Sequence, residues 1–303
     1  MAYISKRLVL DSALPQRLDH VVQELTQLSR REIKGLLDHE TVSLNGEACT
    51  QGQVRVAPGD TVEVTYDPHT RYHERPRSAE RGANFRRVFE DEALIVVDKA
   101  AMVLTQPTER HESNTLVDLV GRYLARSGGR HRPLLVHRLD RETSGLLVLA
   151  KSPRAAEGLE RQFRAHTAER EYLAILAGNM ERGEGTIESM LATNLALTRF
   201  STEDESLGER AVTHFKVRGR KHGATTVRVR LETGRRNQIR VHFAEAGHPV
   251  LGDRRYRPEI ARHSLWPHAR LALHAAVLGL AHPLTGQPLR WEAPAPAAFR
   301  PFL

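Results

Sequence analysis

The chain has 303 residues, a length that predicts two domains and enough sequence to bury a sizeable core. Hydrophobic residues make up 40%, and no apolar run is long enough to span a membrane, which excludes a disordered chain and a helical membrane protein. Lysines and arginines number 45 against 37 aspartates and glutamates; the excess of +8 fits either a polyanionic partner, nucleic acid above all, or a merely soluble basic protein.

The beginning of the chain is predicted to form two helices. Charged residues at positions 6, 7 and 11 interrupt the only early apolar stretch, so we expect no signal peptide and a cytoplasmic protein. Apolar residues at 18, 21, 22, 25 and 28 recur with helical spacing. A second helix begins at Ser29, because Glu32 three residues later completes a capping box. The start of this helix carries three basic residues, Arg30, Arg31 and Lys34.

Two strands and a linker follow these helices. A short strand leads into an Asn-Gly turn at residues 45–46, and alternating apolar residues at 62–66 predict another strand. We therefore place a first domain at residues 1–67. Between residues 68 and 87 the apolar periodicity disappears and arginines accumulate, which predicts a basic linker, either a solvated spacer or a segment that contacts phosphate groups.

The remaining sequence combines apolar strands with amphipathic helices. Apolar runs predict strands at residues 94–97, 146–149, 172–176 and 225–231. Helical periodicity predicts helices at residues 115–125, 154–166 and 236–246. Because these elements interleave unevenly, we expect an α+β domain at residues 88–303 rather than a regularly alternating α/β fold.

The most informative segment is the loop that precedes the strand predicted at residues 146–149. It reads His137-Arg138-Leu139-Asp140-Arg141-Glu142-Thr143-Ser144-Gly145 and runs straight into an apolar strand. A polar loop braced by a rigid strand often holds functional groups, which makes Asp140 a candidate nucleophile or base. The alternative is an ordinary carboxylate paired with Arg138 or Arg141. A kinase catalytic loop is excluded, since no Gly-rich phosphate loop precedes the segment and no Asp-Phe-Gly follows it.

This loop and other segments resemble one enzyme family. Residues 137–152 closely resemble the signature of the RluA-type pseudouridine synthases, in which the aspartate of His-Arg-Leu-Asp is catalytic. Further matches in family order across residues 88–299 are Leu94 to Lys99, Glu171-Tyr172-Leu173-Ala174, Thr233-Gly234-Arg235, Gln238-Ile239-Arg240-Val241-His242, Leu251-Gly252-Asp253 with Tyr256, and Leu273-His274-Ala275. The first 67 residues resemble an S4-type RNA-binding domain, at Arg17-Leu18-Asp19, Ser29-Arg30, Leu44-Asn45-Gly46 and Gly59-Asp60.

The resemblance implies a mixed, mainly antiparallel central sheet and a reaction that needs no cofactor. Pseudouridine formation breaks the N1–C1′ bond of uridine, turns the base and joins its C5 to C1′. Asp140 would act as nucleophile at C1′ or remove the 2′ proton. Arg240 would keep Asp140 ionised as a bidentate partner, unless it is a surface arginine that binds phosphate. Tyr172 would stack on the extruded uracil, unless it only packs in the core.

Other residues in the matching segments are expected to contact the RNA. Arg138 would fill the gap left by the flipped base or bind a backbone phosphate. The remaining candidates are Lys99, His137, Arg141, Gln238 and His242 in the catalytic domain, and Arg30, Arg31 and Lys34 in the S4-type domain.

Two segments depart from the family pattern. Lys99-Ala100-Ala101-Met102 stands where Lys-Pro-x-Gly is usual, so we expect a reshaped turn after Lys99. Arg236-Asn237 replaces Thr-His, which puts substrate preference in doubt more than the reaction type. The helix predicted at 236–246 places Arg236 and Arg240 on one face.

We therefore predict an RNA pseudouridine synthase that acts on large-subunit ribosomal RNA, with transfer RNA as an alternative substrate. The rival hypotheses are a non-catalytic RNA-binding or ribosome-assembly protein of the same fold, and a nucleoside glycosylase that uses the same aspartate. The single cysteine excludes an internal disulfide, and none of the 16 histidines has the spacing of metal ligands. We expect no metal, no membrane association and a monomer.

Overall fold

The computed structural model divides the chain into two compact units, residues 1–83 and 84–303. The structure describes residues 4–12, 14–38, 41–49, 51–68, 84–108, 112–126, 132–194, 196–266 and 269–303. Within these ranges, no helix is long and apolar enough to cross a membrane.

The expected linker at residues 68–87 extends too far toward the second unit. A strand begins at Phe85, so residues 85–87 belong to the sheet of the second unit. Arg86 and Arg87 on this strand form ion pairs with Asp98 and Glu90, at 3.5 and 3.3 Å. The other linker arginines, Arg71, Arg75, Arg77 and Arg81, lie outside the described residues.

The first unit combines two helices with short strands. The helices are α1, Leu18–Thr26, and α2, Arg30–Asp38; the strands are β1, Ile4–Val9, β2, Gln16–Arg17, β3, Val42–Leu44, β4, Glu47–Ala48, β5, Arg55–Val56, and β6, Thr61–Tyr66. Strands β1, β6, β3 and β4 form one sheet in that order, and β2 pairs with β5. The predicted helices and strands are present; β1, β2, β4 and β5 were not predicted, although β1 pairs along the whole of β6.

The capping box predicted at the start of α2 is formed. The backbone N–H of Ser29 donates to the Glu32 carboxylate at 2.9 Å, and the backbone N–H of Glu32 donates to the Ser29 hydroxyl at 3.4 Å. The apolar faces of α1 and α2 pack against β6 in a buried cluster that includes Leu18, Leu36 and Val62. The two helices therefore cover one small sheet, and their polar faces stay at the surface.

The second unit is built on one large sheet. Its strands are β7, Phe85–Glu90, β8, Leu94–Lys99, β9, Leu134–Leu135, β10, Ser144–Ala150, β11, Glu169–Ala177, β12, Glu184–Thr193, β13, Arg199–Thr202, β14, Glu209–Lys221, β15, Ala224–Leu231, β16, Leu273–Ala281, and β17, Pro288–Glu292. Its helices are α3, Leu116–Arg126, α4, Pro153–Arg164, α5, Gln238–Glu245, and a final 3-10 helix, Ala297–Phe302.

The strand order is β13-β12-β14-β15-β11-β16-β10-β8-β7, with β17 beside β16 and β9 beside β10. Among the described strands, only β10 and β16 pair in parallel, and all other pairs are antiparallel. The expected α+β fold with a mixed, mainly antiparallel sheet is therefore confirmed.

Strand β10 lies deep in this sheet and is covered on both faces. Leu147 and Leu149 belong to a cluster with residues of α3 and α5, whereas Leu146 and Val148 pack with residues of α4. Burial on both faces explains why this strand reads as a continuous apolar run without polar alternation. The buried strand β10 therefore fixes the end of the loop that holds Asp140.

Gly145 lets β10 approach β16 directly after that loop. Its φ is 115°, a backbone conformation that residues with a side chain rarely adopt. A Cβ at this position would also collide with the backbone of Ala275. The glycine exit of the loop is therefore required by the close parallel pairing of these two strands.

Candidate active site

The loop at residues 137–143 holds Asp140 between two fixed points. Leu139 is buried, and its carbonyl accepts a hydrogen bond from the Thr105 hydroxyl at 2.7 Å. The Thr143 N–H donates to the Asp140 carbonyl at 3.1 Å and closes a turn around the aspartate. The Asp140 side chain itself remains 22% exposed. It is therefore held in place and still accessible.

Arg240 of α5 is the ion-pair partner of Asp140, through a single contact. Its Nη1 lies 3.4 Å from Asp140 Oδ2. The bidentate contact expected with Asp140 is made with Asp253 instead, by Nε to Oδ2 at 2.7 Å and Nη2 to Oδ1 at 2.8 Å. That expectation was wrong because the loop after α5 brings a second, deeply buried carboxylate to the same guanidinium.

Asn237 and Tyr256 complete the surroundings of Arg240. The Asn237 side-chain oxygen accepts from Arg240 Nη1 at 3.2 Å, and its nitrogen donates to the Tyr256 hydroxyl at 3.0 Å. The guanidinium carbon lies 5.1 Å from the centroid of the Tyr256 ring. Burial disfavours the charged form of Arg240, but the hydrogen bonds and charge of Asp253, together with the charge of Asp140, raise its pKa. Arg240 is therefore a permanent cation, and only 8% exposed. The expectation of a surface arginine that binds phosphate is contradicted.

Arg236 does not share a helix face with Arg240. Asn237 has a left-handed backbone conformation with φ of 58°, and α5 begins only after it. The Arg236 side chain turns away and donates to the Leu197 carbonyl at 2.9 Å. The predicted start of the helix at 236 was two residues early, because the left-handed residue breaks the helical path.

Tyr172 lies on β11 in the same apolar cluster as Phe243 of α5. It is 8% exposed, so most of its ring packs in the core. Burial raises the pKa of its hydroxyl, an effect that Arg170 opposes and Asp140 reinforces. The charge of Asp140 thus affects the pKa of both Tyr172 and Arg240. Stacking of Tyr172 on uracil stays a prediction.

Lys99 is fully buried, which contradicts the expected contact with RNA. Its ammonium donates to the carbonyls of Ala100, Val103 and Arg141, at 3.0, 2.8 and 3.3 Å. Burial lowers its pKa to about 7, although the charges of Asp140 and Glu142 oppose that shift. The hydrogen bond from Lys99 to the Arg141 carbonyl therefore connects the end of β8 to the catalytic loop within the protein interior.

The turn after Lys99 forms despite the missing proline and glycine. Met102 adopts a left-handed conformation with φ of 69°, and its N–H donates to the Arg141 carbonyl at 2.7 Å. A methionine in this region costs about 1 kcal/mol in backbone strain. Two hydrogen bonds to the Arg141 carbonyl, from the Met102 N–H and from the Lys99 ammonium, stabilise this strained conformation.

Arg138 and Arg141 are exposed on the catalytic loop. Neither forms an ion pair with Asp140 in the part of the chain that the structure describes. The ordinary surface pair considered from the sequence is therefore not what surrounds Asp140. Contact of these two guanidinium groups with RNA stays a prediction.

His137 supports the fold through a backbone hydrogen bond and a stacked ring. Its Nε2 accepts the backbone N–H of Val148 at 3.1 Å, and its ring stacks on Phe163 with 4.4 Å between centroids. Burial lowers its pKa to about 3, so the ring is neutral and its acceptor nitrogen is occupied. A substrate contact by His137 stays a prediction.

Gln238 and His242 are buried on α5 and bind one threonine of β14. Gln238 Nε2 donates to the Thr213 hydroxyl at 2.9 Å, and its oxygen accepts from Thr233 at 2.9 Å. His242 lies between the hydroxyls of Thr213 and Ser189, at 2.9 and 3.0 Å, and burial lowers its pKa to about 4. These side chains fix α5 to the sheet, and the expected RNA contacts are again contradicted.

In the first unit, Arg30 and Lys34 are exposed on α2. The side chain of Arg31 lies outside the described part of the structure. Phosphate contacts by these three residues stay a prediction. Across the described ranges of both units, no group of three or more His, Cys, Asp or Glu side chains is arranged to hold a metal ion.

The sequence missed Asp253 and Thr105 as residues that shape the site, whereas Arg236-Asn237 was noted as a departure from the family pattern. The segment Leu251-Gly252-Asp253 with Tyr256 was part of the family resemblance, and an acidic residue within it was the available signal. The fold and the site define an enzyme with an accessible carboxylate held beside a buried arginine and a buried tyrosine.

Comparison with known protein families shows which family of enzymes this is. Residues 93–245 match the family of RNA pseudouridylate synthases. The chain belongs to this family and is an RNA pseudouridine synthase.

Relatives and solved structures agree with this assignment. The chain is 34% identical to the ribosomal large subunit pseudouridine synthase D of Pasteurella multocida, over 95% of this chain and 90% of the relative. The protein of that name in Escherichia coli strain K12 is 32% identical over the same shares. The structure of human RNA pseudouridylate synthase domain containing 1 aligns with a TM-score of 0.58 and 25% identity, over 74% of this chain and 89% of the human chain.

Proposed function

We propose that this synthase converts uridine to pseudouridine in large-subunit ribosomal RNA, with Asp140 as the group that attacks C1′ or removes the 2′ proton. The observation that carries the proposal is the carboxylate of Asp140, partly exposed and 3.4 Å from a buried arginine. Partial exposure lets a carboxylate reach a bound nucleotide, and a fixed guanidinium orients it by a charge-assisted hydrogen bond.

The uridine must leave its stack before Asp140 can reach C1′. Tyr172 is proposed to meet the extruded base with its exposed edge, where its hydroxyl can take part in proton transfer at C5. Arg138, exposed two residues before Asp140, is proposed to fill the space that the base vacates or to bind a phosphate beside it. Arg141 is proposed to bind a phosphate on the other side.

The choice of ribosomal RNA rests on the names of the relatives. The proteins from P. multocida and E. coli are both called ribosomal large subunit pseudouridine synthase D, and each is matched over 90% of its length. Transfer RNA is the alternative substrate. A ribosomal substrate would place the enzyme in the cytoplasm, where we propose that it acts as a monomer.

We propose that residues 1–67 are an S4-type domain that positions the RNA for the catalytic unit. The exposed Arg30 and Lys34, with Arg31 between them, are proposed to bind phosphate groups, which carry no sequence information but fix register. The arginine-rich segment after residue 67 would add to this attraction.

Mapping of pseudouridine in the RNA of cells that lack the protein tests this function. Wild type should restore a pseudouridine in large-subunit ribosomal RNA, and Asp140→Asn should not, since turnover without the carboxylate should fall by more than about 10³-fold. Asp204→Asn, at an exposed aspartate bonded to Ser206, is the matched control and should restore the modification fully.

Each other result removes one part of the proposal. Modification restored only in transfer RNA would show a different substrate. Free uracil and an abasic site in the reaction of the purified enzyme would show a glycosylase. Restoration by Asp140→Asn would show that Asp140 does not carry the chemistry, and no restoration by wild type would favour a non-catalytic role.

A further inference from the structure

Arg240 binds its two carboxylates unequally. Asp253 is 1% exposed and takes a bidentate contact at 2.7 and 2.8 Å, whereas Asp140 is 22% exposed and takes one contact at 3.4 Å. Bidentate binding through Nε and Nη2 fixes the plane of the guanidinium. The remaining nitrogen, Nη1, is then directed toward Asp140 and the oxygen of Asn237.

Asp253 is itself held rigidly. Its Oδ1 accepts the backbone N–H groups of Arg255 and Tyr256, at 2.8 and 3.1 Å. The ring of Tyr256 lies beside the guanidinium, and the Tyr256 hydroxyl is bonded to Asn237. The turn at 253–256 therefore arranges one carboxylate and one aromatic ring around Arg240.

This arrangement affects the freedom of Asp140. A guanidinium without another partner would close on Asp140 in a bidentate pair and occupy both of its oxygens. Because Asp253 takes that contact, Arg240 meets Asp140 through Oδ2 alone. The Arg240–Asp253 pair is also neutral overall, so it offers little attraction to RNA phosphate.

We propose that Asp253 is a positioning residue for the isomerisation, which holds Arg240 so that one nitrogen orients Asp140 while the other carboxylate oxygen of Asp140 stays available for reaction. The inference rests on the proposed role of Asp140. It concerns turnover and not RNA binding, because neither member of the buried pair is exposed to a phosphate.

Asp253→Asn is the direct test. The amide keeps an oxygen that can accept the N–H groups of Arg255 and Tyr256, but its NH₂ group faces the donor Nε of Arg240. Loss of this charged hydrogen bond should lower single-turnover pseudouridine formation at saturating RNA by about 10- to 100-fold. The dissociation constant for RNA should change by less than about twofold. Glu259→Gln, in an exposed pair with Arg257 in the same segment, is the control and should leave both quantities unchanged.

A double-mutant cycle separates positioning from simple stability. If Asp253 acts through Arg240, Asp253→Asn should lower the rate of an Arg240→Met enzyme no further. Additive losses, or equal losses of rate and RNA affinity with a lower unfolding midpoint, would show a merely structural role. Should Asp253→Asn not fold, Asp253→Glu, which keeps the charge but displaces it, carries the test; wild-type turnover in that enzyme overturns the proposal.

The activities of the Asp140→Asn and Asp253→Asn enzymes separate the role of Asp253 from the role of Asp140. An inactive Asp140→Asn enzyme beside a fully active Asp253→Asn enzyme refutes the role of Asp253 alone. Activity in Asp140→Asn refutes the proposed function itself.

Discussion

Lys99 and Arg240 are two buried cations that meet the catalytic loop from different elements. Lys99, at the end of β8, is completely buried and donates to three backbone carbonyls. Arg240, on α5, is 8% exposed and binds two carboxylates. Lys99 is thus surrounded by the dipoles of backbone carbonyls, whereas Arg240 is surrounded by the negative charges of two carboxylates.

The difference appears in their protonation. Burial lowers the pKa of Lys99 to about 7, since carbonyl dipoles replace the lost water only in part. Burial also disfavours the charge of Arg240, but Asp253 and Asp140 outweigh it and raise the pKa. Arg240 therefore stays charged at physiological pH, because a guanidinium starts from a higher pKa and here has carboxylate partners, whereas burial brings the pKa of Lys99 into the neutral range.

The largest expected effect comes from breaking the charged pair. Arg240→Met leaves Asp253 buried without a cation, which should lower the free energy of unfolding by about 3–5 kcal/mol. Adding Asp253→Leu removes the orphaned charge and should recover part of that stability, because buried pairs are replaceable by apolar side chains. The recovery is limited because the backbone N–H groups of Arg255 and Tyr256 then lose their acceptor. Urea unfolding measures both. In single-turnover assays the double variant should be as slow as Arg240→Met.

Two outcomes would contradict this prediction. A double variant as unstable as Arg240→Met would mean that the orphaned carboxylate is not the source of the loss. A stable and active double variant would remove Arg240 from the mechanism altogether.

A smaller effect with a pH signature is expected at Lys99. Lys99→Met leaves three carbonyls without their donor and should cost about 1–3 kcal/mol at neutral pH. Between pH 7 and 10.5 the unfolded chain holds a proton on Lys99 that the folded protein does not, so wild-type stability gains with rising pH. The difference in unfolding free energy between wild type and Lys99→Met should therefore grow with pH, by at most about 1.4 kcal/mol per unit. Urea titrations at several pH values measure it, and a constant difference would mean that Lys99 stays charged.

The smallest effect concerns the strained turn that Lys99 supports. Met102→Gly should raise the free energy of unfolding by about 0.5–1 kcal/mol, because glycine adopts the left-handed conformation without a steric cost. Ala101→Gly, one residue earlier and outside that conformation, is the control and should destabilise. Equal effects of both glycines in urea unfolding would show that the left-handed backbone carries no measurable strain.

Local patterns in the sequence were enough to predict the five α-helices of the described residues, but only six of their seventeen strands. The apolar spacing at 18–28, 115–125 and 154–166 corresponds to α1, α3 and α4 within two residues at each end. The capping box at Ser29 is formed as expected. Periodicity and capping involve residues a few positions apart, so they act before any tertiary contact exists.

The roles of polar residues in the motifs were predicted less well. His137, Gln238 and His242 looked like substrate contacts, yet each satisfies a buried hydrogen-bonding group of the fold. A polar side chain that serves a ligand and one that serves the backbone are identical in sequence. Only burial and partners distinguish them.

The sequence by itself indicated the α-helices, six of the strands in the described residues, the α+β class and, through its resemblance to a family, the loop that carries Asp140. The tertiary structure alone decided which carboxylate holds Arg240. Asp253 lies 13 residues after the arginine and Asp140 lies 100 residues before it, and no local pattern ranks one above the other. The ranking follows from folding, because the loop after α5 buries Asp253 against the guanidinium while the catalytic loop keeps Asp140 partly in solvent.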